Sequence, residues 1–350
     1  MSIPPAIAIA VVGAVAFAAS FGITESWRRI ANRRGVLDEG GTRASHVGTV
    51  PRAGGVGFVF VGTVAIEVAA FSQGSAPLTA LALGGLAAAA VGFVDDVREL
   101  RAAPRLAVHL LSAAIAALAI VWGQFDATRG LAMWVLLTIG LAGAINLYNF
   151  MDGLDGLAAS EAIFVLGAAA ALMADDAMSA RAMLVAIAAA VLGFLVLNWP
   201  PARLFMGDVG SGWLGFVLAG LAAWTWFQEL LHPAVWAILA AVFVSDSVVC
   251  LLRRLLRGDR VSQPHRSHAY QNLHRLRASH RVVTQLLWAV NLLWLAPLAV
   301  LAASRSDAAW WVAAAAYVPV VVAVLWLGSG VPGIAEPKDS GSGSAEEGRR

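Results

Sequence analysis

Two aspartates, Asp152 and Asp155, are each followed directly by a glycine in a short polar stretch between two apolar runs. Asn149 lies just before them. Glycine allows the backbone to turn sharply, so both carboxylates can face one ligand. Carboxylates and carboxamides together bind a hard cation or hydrogen-bond a polar ligand. An Asp-Gly pair alone is typical of an ordinary turn between helices, but this density of polar groups indicates a functional site.

Further acids end or begin other apolar runs. Asp95 and Asp96 are adjacent and therefore lie on different faces of a helix, so one can act as a base or metal ligand while the other pairs with Arg98 or Arg101. Asp208 lies among glycines and suits Mg²⁺, which takes one or two carboxylates plus substrate phosphates. Phe205, close to it, is predicted to be an exposed aromatic that stacks on a nucleobase.

Basic residues accompany these acids. Arg52 stands beside a glycine pair just before an apolar run, which suits a phosphate, although a positively charged membrane anchor has the same pattern. The longest polar connection contains His265, Arg266 and His268, a cluster that suits a polyanionic substrate. Asn198 precedes two prolines that end a further apolar run and is another candidate site residue.

The elements that position these residues are membrane helices. Of the 350 residues, 59% are hydrophobic and only 13% are charged, which indicates a polytopic membrane protein rather than a soluble domain. Eleven apolar runs approach or reach the length that a bilayer requires. The runs are 4–23, 56–71, 78–94, 106–123, 131–148, 161–174, 183–197, 212–227, 234–252, 283–303 and 308–327. The predicted fold is an all-α integral membrane protein of about 11 transmembrane helices, with one catalytic domain over 1–327 and a disordered tail over 328–350.

The distribution of arginine predicts the orientation of the chain. The connections after odd-numbered runs hold most of the arginines, whereas the even connections hold only Arg129, Arg181 and Arg305. By the positive-inside rule the N-terminus is outside and the C-terminus is cytoplasmic. The predicted cytoplasmic site loops are 25–55, 95–105, 149–160, 198–211 and 253–282. Two intramembrane acids, Glu67 and Asp246, are left open between structural and functional roles.

All the candidate site residues therefore map to one membrane face. Carboxylates for Mg²⁺, basic residues for phosphates and an aromatic residue for a base describe phosphoryl transfer from a nucleotide-linked substrate. The membrane body is larger than an anchor requires, which favours a lipid as the acceptor.

The chain resembles the polyprenyl-phosphate N-acetylhexosamine-1-phosphate transferase superfamily, also called glycosyltransferase family 4. The matching motifs occur in family order over nearly the whole chain. They are Pro51-Arg52-Ala53-Gly54-Gly55, Asp95-Asp96, Asn146 to Ala158, Asn198-Trp199 with Phe205-Met206-Gly207-Asp208, Asp246 followed by Arg253-Arg254, and Arg266-Ser267-His268.

The resemblance implies a reaction and its partners. A UDP-linked amino sugar gives its sugar-1-phosphate to undecaprenyl phosphate and UMP is released, with Mg²⁺ required and Mn²⁺ as the alternative ion. The enzyme is expected in the bacterial cytoplasmic (inner) membrane, with its active site on the cytoplasmic face, at the first membrane step of O-antigen-like polysaccharide synthesis. No nucleic acid is expected as a partner, and a homodimer is left open.

The resemblance also implies residue roles. The catalytic set is Asp95, Asp96, Asp208 and His268, with Asp208 and Asp152 as metal ligands. Asp95 is the base or orienting acid for the lipid phosphate, although direct attack by that phosphate is favoured because it is already a nucleophile. The substrate-binding set is Arg52, Asn149, Asp152, Asp155, Asn198, Phe205, His265 and Arg266. Phe205 is expected to stack on uracil, and His265 and the catalytic His268 are expected to bind diphosphate.

One motif distinguishes the branches of the superfamily. The sequence His268-Ala269-Tyr270-Gln271 departs from the clustered histidines of the muramoyl-pentapeptide branch and favours the branch that initiates O-antigen and common-antigen chains. The alternatives are a phospho-N-acetylmuramoyl-pentapeptide transferase and a solute transporter, although transporters place ionisable residues near the membrane midplane. A CDP-alcohol phosphatidyltransferase is disfavoured, because its acids would be collected in one segment.

Overall fold

The fold is all-α apart from one short antiparallel ribbon. The computed structural model describes residues 4–38, 49–98, 100–259, 266–277 and 279–331. The elements in chain order are α1 (Pro5–Arg34), β1 (Leu37–Asp38), β2 (Val50–Pro51), α2 (Val56–Gln73), α3 (Ala76–Arg98), α4 (Ala102–Val121), α5 (Ala127–Met151), α6 (Leu157–Leu172), α7 (Met178–Asn198), α8 (Asp208–Phe227), α9 (Pro233–Leu239), α10 (Ala241–Leu256), α11 (Ala269–Arg277), α12 (His280–Val290), α13 (Ala296–Ser304) and α14 (Ala309–Trp326). A π-helical turn, Asn291–Leu295, joins α12 to α13, and Leu37 pairs with Pro51 in the ribbon.

The predicted polytopic architecture is confirmed, with a smaller count of spans. Within the described residues, nine helices are long and apolar enough to cross a membrane, α12 to α13 being counted as one. The pair α9 and α10 passes the same test together but bends by 75°, and counting it as one span gives ten. The remaining predicted run, 161–174, corresponds to α6, whose 16 residues extend for about 24 Å. That length is less than the roughly 30 Å thickness of the hydrocarbon core. Hydropathy alone does not give the length of a helix.

The outer surface of the helices is apolar, as a lipid environment requires. Phe71, Leu136, Leu293 and Trp311 are all strongly exposed on helices of this kind. Exposed large apolar side chains in this number on the described helices are what a bilayer solvates and water does not. The membrane assignment therefore has support from side-chain placement as well as from composition.

Helix α8 is the central element of the fold. It packs against α2, α3, α4, α5 and α9, and its Trp213, Phe216 and Trp224 are buried. Gly84 and Gly85 on α3 let two of these rings approach closely, since an added Cβ would lie 2.7 Å from Phe216 Cζ and 3.1 Å from Trp213 Nε1. Because α8 begins at Asp208, the most enclosed helix of the protein also positions a candidate site carboxylate.

The chain remains folded past the end of α14. The predicted disordered tail began at 328, whereas Ser329 and Gly330 are buried in a turn that packs on α10. Their Gly/Ser composition is typical of disorder, but Gly328 and Gly330 have φ values of +73° and +75°, so these glycines provide the left-handed backbone of the turn. Residues 332–350 of the predicted tail lie outside the described residues.

Candidate active site

Four predicted site aspartates converge where α3, α5 and α8 end or begin. Asp95 and Asp96 lie in the last turn of α3, Asp152 follows α5, and Asp208 begins α8. Burial raises the pKa of Asp152 to about 8, and the nearby charges of Asp208, Asp96 and Asp155 act in the same direction. The carboxylates of three sequence-distant segments therefore interact electrostatically, as the sequence predicted.

Asp96 holds the start of α8 in place. Its Oδ1 and Oδ2 accept the backbone N–H groups of Asp208 and Val209 at 3.1 and 3.2 Å. A carboxylate at a helix N-terminus satisfies otherwise unpaired donors and interacts favourably with the helix dipole. Arg52 Nη2 lies 3.0 Å from Asp96 Oδ1, and the Asp96 side chain is 0% exposed. Both oxygens of this predicted catalytic acid are thus engaged within the protein, which favours a positioning role.

Gly207 makes the contact between Asp96 and α8 possible. Its φ is +74°, and a Cβ at this position would collide with the Asp96 carboxylate and lie 2.9 Å from Ala53 Cα. Only glycine combines this backbone conformation with so close an approach. The glycine of the Phe205-Met206-Gly207-Asp208 motif is therefore a steric requirement of the capping geometry.

Arg105 on α4 connects the acids of α3 and α8, and sequence reasoning missed it. Its Nη1 is paired with Asp95 Oδ2 and lies 3.0 Å from Asp208 Oδ2. Asp95 Oδ1 also accepts the backbone N–H of Leu100 at 2.6 Å. The sequence predicted Arg98 or Arg101 as the partner of one of the paired aspartates, whereas Arg105 pairs with Asp95 and Arg52 with Asp96. Arg105 had counted only as a positive-inside charge, because its other partner, Asp208, is far away along the chain. The sequence did offer one signal for a site role of Arg105, its position at the start of the helix that follows the Asp95-Asp96 pair.

One acid of the cluster, Asp208, borders a cavity of about 520 Å³. That volume lies in the range of small-molecule sites. Asn149, Asp208 and His268 are the predicted site residues that line it. The Asp208 side chain is 27% exposed. The polar lining that was not among the predicted sites is Arg105, His109, Asn146, Tyr270 and Gln271.

His268 contributes a cation to this cavity. Its ring is 2% exposed, stacks on Tyr270 with centroids 5.6 Å apart, and lies 6.0 Å from the ring of Phe150. Burial alone lowers the pKa of His268, but its interactions with Asp246 and then Cys250 outweigh burial and raise the pKa to about 9. The imidazole is therefore protonated at neutral pH, which suits a phosphate ligand.

Asp246, left open by the sequence, anchors the helix beside His268. Its Oδ1 and Oδ2 accept the backbone N–H groups of Ala269 and Tyr270 at 2.8 and 3.1 Å, so it caps α11. His268 Nδ1 lies 3.5 Å from Asp246 Oδ1. The other open acid, Glu67, accepts a long hydrogen bond of 3.4 Å from Thr79 Oγ1 within the adjacent pair α2 and α3. Both contacts favour structural roles.

Asp155 and Asn198 join two loops rather than line the cavity. Asp155 Oδ2 accepts the backbone N–H of Ala202 at 3.0 Å, and its Oδ1 lies 3.1 Å from His280 Nδ1. Asn198 Oδ1 accepts the N–H of Gly156, while its Nδ2 donates to the Leu204 carbonyl. The supporting role predicted for Asn198 fits these contacts. The role predicted for Asp155 in shaping the nucleotide pocket is indirect in this geometry.

Phe205 differs from its prediction. It is half-buried rather than exposed, because its backbone pairs with the segment around Arg52. Its N–H donates to the Pro51 carbonyl, and its carbonyl accepts the N–H of Gly54, both at 2.8 Å. Hydropathy does not register such loop pairing. Besides Asp155 and Asn198, six predicted site residues do not line the cavity, namely Arg52, Asp95, Asp96, Asp152, Phe205 and Arg266. His265 lies outside the described residues.

The carboxylates at and near the cavity fit a hard cation whose other ligands are phosphate oxygens of a substrate. No group of three or more His, Cys, Asp or Glu side chains converges in metal-binding geometry within the described parts of the chain. Mg²⁺ needs only one or two protein carboxylates when a substrate provides phosphate oxygens. Asp208, which reaches the cavity, and Asp152, whose pKa is raised among other carboxylates, are suitable donors. The Mg²⁺ site and the metal roles of these residues stay predictions.

Comparison with known proteins identifies the family. The sequence profile described as Glycosyl transferase family 4 matches residues 78–225, which contain Arg105 and all four acids of the cluster. The chain is 27% identical over 280 residues to a probable undecaprenyl-phosphate N-acetylglucosaminyl 1-phosphate transferase of Bacillus subtilis, across 77% of this chain and 78% of that protein. It is 29% identical over 321 residues to a decaprenyl-phosphate N-acetylglucosaminephosphotransferase of Mycobacterium tuberculosis, across 80% and 79%.

A third relative is the phospho-N-acetylmuramoyl-pentapeptide-transferase of Shouchella clausii. It is 33% identical over 273 residues, across 70% of this chain and 82% of that protein. All three relatives are named as transferases, and two of the names specify a polyprenyl-phosphate acceptor. The chain therefore belongs to glycosyltransferase family 4, the superfamily of polyprenyl-phosphate N-acetylhexosamine-1-phosphate transferases.

Proposed function

We propose that this protein transfers an N-acetylated amino-sugar-1-phosphate from a UDP-sugar to undecaprenyl phosphate and releases UMP. The observation that carries the proposal is the pairing of Asp208 with Arg105 at the wall of a cavity that also contains His268. One carboxylate suited to a cation and two cations suited to phosphates are held between apolar helices. The relatives' names, which specify polyprenyl-phosphate acceptors and N-acetylglucosamine, support the same reaction.

The reaction is a displacement at phosphorus. An oxygen of the lipid phosphate forms a bond to the sugar-bearing phosphorus of the donor. The bridging P–O bond to the uridine phosphate breaks, and UMP leaves with the electron pair. His268 and Arg105 bind the donor's phosphates and hold its diphosphate in the cavity. Bound Mg²⁺, for which Asp208 and Asp152 are the candidate ligands, would neutralise charge on the diphosphate.

The contacts of Asp95 favour direct attack by the lipid phosphate. Its two oxygens are occupied by Arg105 and by the N–H of Leu100. A carboxylate held in this way orients the Arg105 guanidinium, and it is poorly placed to remove a proton. The acceptor phosphate is already ionised at neutral pH and needs no base.

The proposed setting is the cytoplasmic face of the bacterial inner membrane, at the first membrane step of a cell-surface polysaccharide. Arginine placement supports the orientation. The His268-Ala269-Tyr270-Gln271 sequence supports an O-antigen-like polymer. UDP-N-acetylglucosamine is the donor proposed first, because two of the compared relatives are named for that sugar.

Release of UMP by purified protein tests the reaction. The assay combines undecaprenyl phosphate and Mg²⁺ with UDP-N-acetylglucosamine, other UDP-amino sugars or UDP-N-acetylmuramoyl-pentapeptide. UMP that appears only when lipid, donor and metal are all present supports the proposal. Use of the pentapeptide donor alone would favour the second candidate, a muramoyl-pentapeptide transferase, for which the 33% identical relative is the specific observation. Absence of UMP from folded protein with every donor would contradict both.

A further inference from the structure

A buried turn follows the last membrane helix and contacts residues next to the candidate site. It comprises residues 327–330 and is called the C-terminal turn. Ser329 is 0% exposed, although it lies in a segment of glycine and serine that directly follows α14. A fully buried serine in a glycine-rich segment requires partners inside the protein.

The C-terminal turn is fixed to α10 and α11 by its backbone. The N–H of Gly330 donates to the Ser267 carbonyl at 2.6 Å. Arg253 Nη1 donates to the Ser329 carbonyl at 2.9 Å, and Asn272 Nδ2 donates to the Leu327 carbonyl at 2.9 Å. The turn therefore contacts the residue that immediately precedes His268.

The approach to α10 is close enough to require a glycine. A Cβ on Gly330 would lie 2.8 Å from Arg253 Cβ and 3.0 Å from the Cys250 carbonyl oxygen. With a φ of +75°, Gly330 also has a backbone conformation that other residues rarely adopt. The turn therefore packs against α10 in a specific way that depends on glycine at this position.

The Ser329 hydroxyl donates to the carboxylate that organises His268. Its Oγ lies 2.5 Å from Asp246 Oδ1, the same oxygen that accepts the N–H of Ala269 and lies 3.5 Å from His268 Nδ1. A buried carboxylate keeps a fixed orientation only when its acceptor positions are filled by donors in a fixed frame. Ser329 supplies a donor from the C-terminal turn, a segment separate from α10 and from the start of α11.

We propose that Ser329 is a positioning residue that fixes Asp246 and, through it, His268 and the start of α11 at the donor-binding cavity. The proposal rests on the function proposed above, in which His268 binds the donor diphosphate. Ser329 touches neither substrate. Its loss is expected to weaken use of the UDP-sugar and to leave use of the lipid phosphate unchanged.

The test is the full-length variant Ser329→Ala in lipid nanodiscs, with Ser304→Ala as its control. Ser304 is also a serine at a helix end, but it is exposed and its hydroxyl donates to a carbonyl of its own helix. In Ser329→Ala we expect the KM for the UDP-sugar to rise about tenfold, the loss typical of one hydrogen bond to a charged group. The KM for undecaprenyl phosphate should not change. A merely structural role would lower the active fraction and alter neither KM.

Hydrogen exchange measured without substrates provides an independent result. Peptides that cover 266–277 should exchange faster in Ser329→Ala, because the N–H groups of Ala269 and Tyr270 donate to Asp246. Unchanged exchange, or an unchanged KM for the UDP-sugar, would overturn the proposal. If the wild type released no UMP, the proposed function would fail, while exchange would still decide whether Ser329 fixes α11.

A second variant guards against a failure of Ser329→Ala to fold. Asn272→Ala removes the side-chain bonds to the Leu327 and Gly328 carbonyls and leaves the Ser329 hydroxyl in place. The same selective rise in the KM for the UDP-sugar is expected, since the C-terminal turn then loses a tether. Wild-type kinetics together with wild-type exchange in Asn272→Ala would contradict the role assigned to the turn.

Discussion

The carboxylate of Asp96 caps the helix that begins at Asp208, with its Oδ1 3.1 Å from the Asp208 backbone nitrogen. Asp246 caps α11 in the same manner, with one oxygen on each of two successive N–H groups. In both cases a carboxylate on one membrane helix fixes the start of another helix whose first residues reach the candidate site. The catalytic geometry proposed here therefore depends on capping contacts between distant segments.

Removal of the first cap should cost both stability and activity. Asp96→Ala leaves two N–H donors of α8 without their acceptor, so we expect a loss of about 1–3 kcal/mol in the free energy of unfolding. UMP release should fall sharply, because Asp208 moves with the start of α8. The measurements are thermal unfolding in detergent and the UMP assay.

Asp126→Ala is the matched control for that variant. Asp126 caps α5 at its opposite end, where its Oδ1 accepts the N–H groups of Thr128 and Arg129. It should lose about 1 kcal/mol of stability, the typical cost of an N-cap, and keep its turnover. Wild-type turnover in folded Asp96→Ala would contradict the positioning role of Asp96.

Gly207→Ala separates backbone strain from the collision with Asp96. The added Cβ meets the Asp96 carboxylate, so both the cap and the position of Asp208 should be disturbed. Gly123→Ala is the control, because Gly123 has a φ of +76° and its added Cβ would have no atom of the described residues within 4 Å. Both variants carry a strain of about 1–3 kcal/mol, but only Gly207→Ala should lose UMP release. Equal activity of the two variants would show that the close approach is unimportant.

Arg105 is expected to bind phosphate in the reaction. Arg105→Ala should lower kcat/KM about 10- to 100-fold, since it removes a charged donor from the cavity and leaves Asp95 and Asp208 to repel each other. Arg105→Lys should be intermediate, because lysine keeps the positive charge but lacks the guanidinium whose Nη1 contacts both carboxylates. Arg181→Ala removes a peripheral ion pair with Asp175 and should behave as wild type. Full activity of Arg105→Ala would exclude the proposed role.

His268 should set an alkaline limit to activity. Its pKa is raised to about 9, so its stabilising charge is complete below its unfolded pKa of about 6.5 and is lost as the pH rises through 9. Binding of the donor by the folded protein should weaken as the pH rises through about 9. His268→Asn should lower activity and abolish the fall in activity at alkaline pH. His232→Asn, at the start of α9, should retain that fall. An identical alkaline limb in wild type and His268→Asn would show that another group titrates.

Sequence reasoning succeeded where the bilayer constrains the chain. Helices are the simplest way to satisfy backbone groups in lipid, so hydropathy located them, and carboxylates at their ends stood out against an apolar background. Asn149, Asp208 and His268 were therefore recognised as candidates and do line the cavity. The break between α9 and α10 and the short length of α6 are geometric properties that composition does not reveal.

The contacts missed by sequence reasoning are long-range and use common residues. Arg105 pairs with Asp208 across 103 positions, and Ser329 reaches Asp246 across 83. Neither spacing has a local signature, and each residue has an ordinary alternative role as a surface charge or a tail residue. The half-burial of Phe205 likewise depends on pairing with the segment around Pro51, which no periodicity predicts.

The most direct test of the central claim is the transfer of labelled sugar phosphate to undecaprenyl phosphate by Asp208→Asn across a Mg²⁺ titration. Asp175→Asn, an exposed acid at the far end of the helices, serves as the control. The proposed function predicts full Mg²⁺-dependent transfer by wild type and Asp175→Asn, and none by folded Asp208→Asn at any Mg²⁺ concentration. Normal transfer by Asp208→Asn would contradict the assignment of this cavity as the catalytic site.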